Sequence, residues 1–75
     1  MRQQLLQAAL LNFLADKAKA EANLEVYLTN SAGIGEHPDV IKEIVDLTKL
    51  ITEADEGIKY LETKIEQLSD KIKTS

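Results

Sequence analysis

Glu36, His37 and Asp39 stand close together in a stretch that also holds Gly33, Gly35 and Pro38, and no other segment of the chain is better equipped for chemistry. Two carboxylates and an imidazole could ligate a metal ion, and the glycines could expose backbone amides to an anion. Neither pattern is specific. Gly33-Ile34-Gly35 falls short of a phosphate-binding fingerprint and no strand precedes it. His37 is the single histidine, whereas a zinc site wants three or four ligands of better type. The same residues are accounted for by turn and cap chemistry. Asn30 or Gly33 can end a helix in the left-handed conformation, Pro38 suits the first position of the next helix, and Asp39 complements its dipole. No metal and no cofactor is expected, and Ile34 is expected to tuck back on Ile41.

Two further candidates are weaker. Glu53, Asp55 and Glu56 form an acidic group that could be taken for catalytic carboxylates. On a helix their spacing splays them around the circumference, and no closed pocket is implied that would shift their pKa values. Lys17 falls in a core slot of the first apolar stripe, where its stem can lie along the seam while the ammonium reaches water. The chain is not expected to be an enzyme.

The elements that carry these residues are clearer than the residues themselves. Val40, Ile44, Leu47, Ile51, Ala54, Ile58, Leu61, Ile65, Leu68 and Ile72 recur at spacings of four and three, a heptad seam with isoleucine at one core position and mostly leucine at the other. From about Arg2 to Thr29 the chain is rich in Ala, Leu, Gln, Lys and Glu, without Gly or Pro, a composition that favours helix. One stripe there runs Leu6, Leu10, Phe13, Ala20, Leu24 and Tyr27. A second runs Ala8, Leu11, Ala15, Ala18 and Ala22, with Leu14 and Leu28 bridging the two. The expected fold is all-α: one domain over residues 1–75, with a helix at about 2–29, a loop at about 30–37 and a helix at about 38–73. The helices form an antiparallel, coiled-coil-like hairpin that dimerises into a four-helix bundle. Leu24 falls opposite Ile44, Leu10 opposite Ile58, and Phe13 close to Ala54, so that large meets small. Gly57 in mid-helix permits either a close crossing or a bend. Charged pairs are expected within the second helix, Lys42 with Asp46 and Asp55 with Lys59. Isoleucine and leucine in alternation also suit a parallel dimer, an arrangement that would strand the apolar faces of the first helix.

Composition removes several function classes. Seventy-five residues make one small domain at the margin where a single core offsets conformational entropy, and no cysteine is present to supply a disulfide or a thiolate site. The formal charge is −4 and the acids and bases are interspersed; such a surface repels phosphate backbones and anionic lipid, so neither nucleic acid nor membrane is an expected partner. No stretch approaches the ~20 apolar residues of a membrane span. Leu5-Leu6 and Leu10-Leu11 faintly resemble a signal peptide, but Gln3, Gln4, Gln7 and Asn12 interrupt the run.

An excess of apolar surface remains. Pairing residues across the turn leaves the first helix out of chain opposite about Ile65, so Leu68 and Ile72 lack a partner within the hairpin, and Ile41, Val45 and Leu50 lie off the seam. Burial of each Leu or Ile is worth ~1.5–3 kcal/mol, so association with a second copy or a larger partner is expected. The interface residues are Leu11, Leu14, Ala18, Ile41, Val45, Leu68 and Ile72.

Asn23-Leu24-Glu25-Val26-Tyr27-Leu28 followed by Gly33-Ile34-Gly35-Glu36-His37-Pro38-Asp39 resembles small uncharacterised helical proteins of tailed bacteriophages, those of marine phages and cyanophages in particular. The resemblance covers roughly residues 20–60. Its members carry Pro-Val where this chain has Ser31-Ala32, which implies a less rigid connection here. It implies a phage-encoded protein made in the cytoplasm of an infected bacterium, and carries over no catalytic residue. The expected function is a small protein-binding or assembly module, a homodimer that engages a host or phage protein. The alternatives are a virion structural or accessory protein and, further off, a metal-binding protein built on residues 36–39.

Overall fold

The computed structural model describes residues 1–29 and 39–74, with side chains described as far as Asp70. Two helices make up this part of the chain: α1, Arg2–Thr29, and α2, Val40–Thr74. At 1.5 Å per residue they are about 42 and 52 Å long. They pack antiparallel as a helical hairpin, 60 × 16 × 15 Å in extent. Asp39 precedes α2 and its carbonyl accepts the first backbone bond of that helix, from the amide of Glu43 at 3.1 Å, the role of an N-cap residue. The expected loop, about 30–37, and Pro38, expected to open the second helix, lie outside the described residues.

Both heptad stripes form the contact. On α1 the less exposed positions are Gln3, Leu6, Ala9, Leu10, Phe13, Lys17, Ala20, Leu24 and Tyr27; on α2 they follow Val40, Ile44, Leu47, Ile51, Ala54, Ile58, Leu61, Ile65 and Leu68. The most deeply covered are Ala20, Leu47, Ala54 and Leu61. Small residues thus occupy two of the four central positions, which lets the helices lie close.

Gly57 has its reason in the neighbouring helix. A Cβ built there would stand 2.7 Å from Cζ of Phe13 and under 3.0 Å from both Cε atoms. The Phe13 ring therefore lies directly over the glycine, and close packing rather than a bend is what the missing side chain permits. This contact also fixes the register. A slip of one heptad in either direction would set Phe13 against Leu50 or Lys64, neither of which leaves room for a ring.

The pairing of side chains is offset from the pairing expected by residue number. Gln3 Nε2 donates to Ser69 Oγ at 2.9 Å, four positions beyond the predicted end of cover at about Ile65. Side chains in a helix tilt towards its N-terminus, and in an antiparallel pair the two tilts are opposed. Each α1 side chain consequently meets one further along α2 than the opposite Cα. As a result Leu68 is half-buried beside the Gln3–Ser69 contact instead of standing beyond the end of α1. The side chain of Ile72 lies outside the described residues.

Candidate interaction surface

Among the described residues no group of three or more His, Asp or Glu is gathered as metal ligands would be. Glu36 and His37 lie outside the described residues; Asp39 is exposed. Of the acidic group on α2, Asp55 is engaged across the seam: Lys17 Nζ lies 2.7 Å from its Oδ1. Asp55 therefore faces α1 and not Lys59 one turn on, a pairing that i,i+4 spacing alone does not reveal. Lys42 and Asp46 do pair within α2 at 2.8 Å. The hydroxyls of Thr48, Thr52 and Thr63 donate to carbonyls one turn back in α2, and Thr29 does so in α1, so these groups are occupied within their own helices.

Both lysines are held more firmly protonated than usual. For Lys17 the hydrogen bond to Asp55 is the larger cause and the charge of Asp55 the next; for Lys42 the same two effects come from Asp46. Asp46 is held below its ordinary value by the Lys42 hydrogen bond. A raised lysine pKa contributes stability below the unfolded-state value of 10.5 and loses it as pH climbs through the folded-state value. The expected outcome is that wild type exceeds Lys17→Gln in urea midpoint at pH 7, and that the difference shrinks above pH 10.5. An equal difference at pH 7 and pH 11.5 would show that the lysine acts through its stem alone.

The polar contacts also tell the two long sides of the hairpin apart. Gln3 and Lys17 of α1 meet Ser69 and Asp55 of α2 on one side, and Phe13 meets Gly57 on the other. Helical spacing then puts Leu14 and Leu28, with Leu11 and Ala18 behind them, on the Lys17 side of α1. Ile41 and Val45 share that side on α2. All of them are exposed, Leu11 to 65%, Leu14 to 42% and Ile41 to 73%. Five of the predicted interface residues, Leu11, Leu14, Ala18, Ile41 and Val45, thus lie on one side of the molecule.

The Phe13 side carries a shallow cleft of about 300 Å³ lined by Phe13, Ala20, Leu47, Leu50 and Ala54 and rimmed by Asp16, Lys19, Asn23 and Glu53. It is open and mostly apolar. Three of its rim groups come from α1 and Glu53 from α2. The sequence reading did not anticipate this cleft; its signal was the pairing of Ala20 with Ala54, two small residues at facing core positions.

No family model, curated protein or solved structure matches this chain. Among the described residues no helix is long and apolar enough to cross a membrane.

Proposed function

We propose that this chain is a non-enzymatic protein-binding or assembly module, a homodimer that brings two hairpins together and presents their remaining apolar surface to a host or phage protein. The observation that carries this reading is the exposure of Leu11, Leu14, Ala18, Ile41 and Val45 on one side. Apolar side chains of this size, gathered on one side of a small molecule, are the usual mark of an interaction site. Leu68, half-buried within the hairpin, contributes less to such an interface. Phage origin rests on the resemblance at residues 23–39 and directs the search for the second protein to infected bacteria.

Leu14→Asp is the test. The substitution sets a carboxylate in the middle of the exposed side while leaving the α1–α2 seam intact, so helix content stays and association is lost. Sedimentation equilibrium of wild type and variant reads the outcome, with the variant expected at the mass of a single chain. An unchanged oligomeric mass counts against the reading. A second reading, a repeated structural element of the virion, is favoured by the apolar residues on the opposite side, Leu5, Val26, Leu50 and Tyr60. Mass spectrometry of purified particles separates the two, since many copies per particle support the structural role.

A further inference from the structure

We infer that two copies of the hairpin join back to back through α1, antiparallel, about a two-fold axis at Ala15, leaving Ile41 and Val45 outside the dimer contact. This rests on the self-association reading above and gives it a geometry. Ala8, Leu11, Ala15, Ala18 and Ala22 are all exposed, and their spacings of three and four make a second heptad seam on the face of α1 turned away from α2.

That seam is self-complementary in one direction only. With the second copy antiparallel about Ala15, Ala8 comes beside Ala22 of the second copy, Leu11 beside its Ala18, and Ala15 beside Ala15. Each leucine of the seam meets an alanine, so the helix separation varies less from layer to layer than it would with leucine on leucine. At the ends Glu25 meets Gln4 of the second copy. The flanks agree: Leu14 meets Leu14 across the axis, Leu5 meets Val26, Glu21 meets Gln7 and Lys19 meets Asn12, with no like charges opposed. These pairs cover Leu5, Leu11, Leu14 and Val26 together, four exposed apolar residues of α1. A parallel arrangement stacks Leu11 on Leu11 and Ala15 on Ala15, which no single helix separation satisfies, and sets Glu25 against Glu25 within the seam.

One copy exposes 5947 Å², whereas a compact protein of 8.3 kDa exposes about 4,600 Å². The surplus over the whole hairpin is roughly 1,350 Å², more than the ~800 Å² that each partner gives to a stable interface.

The experiment uses the full chain, which has no native cysteine. Ala15→Cys is expected to form a disulfide-linked dimer on mild oxidation. Spin labels placed singly at residue 15 and residue 8 are expected to give a short distance between copies at 15 and one longer by about 20 Å along the axis at 8. Equally short distances at both sites would mean a parallel pair and overturn the inference. So would a dimer in which labels at residue 41 are close and labels at 15 are far apart, although self-association itself would then stand. A single-chain mass at every concentration removes both. Ala15→Glu, with helix content checked by circular dichroism, is expected to raise the dimer dissociation constant at least about 100-fold by placing two unpaired carboxylates on the axis. Lys59→Asp, at an exposed position of α2, is expected to leave it unchanged.

Discussion

Leu61→Asp will remove a third or more of the hairpin's stability, and Tyr60→Asp, one residue earlier, will leave it intact. Leu61 is 8% exposed and Tyr60 is 65% exposed, because neighbouring residues of a helix point 100° apart. At position 61 the substitution removes an apolar side chain from the seam, worth ~2 kcal/mol, and sets a carboxylate in its buried place. The combined loss is about 4 kcal/mol. A chain of 75 residues has a total stability of about 4–11 kcal/mol, so a third or more of it is lost. At position 60 the change is confined to solvent and is expected within ~0.5 kcal/mol. Urea denaturation followed by circular dichroism decides the matter; comparable losses at both positions would mean that the α2 seam is not the one described.

Phe13→Ala is the second large effect, with an expected loss of about 3 kcal/mol. The half-buried ring fills the notch above Gly57 and lines the cleft between Ala20 and Ala54. Removing it leaves the helices facing each other through three small residues. The partner substitution shows that the notch matters. On helix propensity alone Gly57→Ala should stabilise α2 by ~1 kcal/mol, yet the new methyl group would stand 2.7 Å from the ring. Overpacking of this kind costs ~1–3 kcal/mol, so a net loss is expected. In a Phe13→Leu background the clash is relieved, and the same glycine replacement should turn stabilising. A double-mutant cycle measures this reversal of sign; its absence would show that the ring is not seated on Gly57.

Much of the hairpin could be read from periodicity, because burial on a helix repeats at a spacing that sequence displays directly. Every described seam residue from Val40 to Leu68 takes the side the heptads assign to it. What periodicity cannot supply is the offset between two helices to within a turn. Phe13, expected close to Ala54, shares a cleft with it but seats its ring on Gly57, and Leu68, expected beyond the cover of α1, is half-buried. In both the tilt of side chains along the helix moves the contact towards the C-terminal end of α2. Asp55 differs for another reason: it takes Lys17 across the seam in place of Lys59 on its own helix. The candidate surface was legible in another way, as leucines and alanines in excess of one seam, but which side of the hairpin holds them depends on the hand of the pairing. Lys17–Asp55 and Gln3–Ser69 supply that hand.

The slenderness of the hairpin has a practical consequence for weighing it. Its radius of gyration is 17.2 Å, against about 11 Å for a compact chain of this length. Drag on a rod is larger than on a sphere of equal mass, so a lone hairpin will leave a gel-filtration column early, at the volume of a sphere several kilodaltons heavier. Elution position by itself will therefore report a pair where there is one molecule, and only light scattering or sedimentation can count the chains.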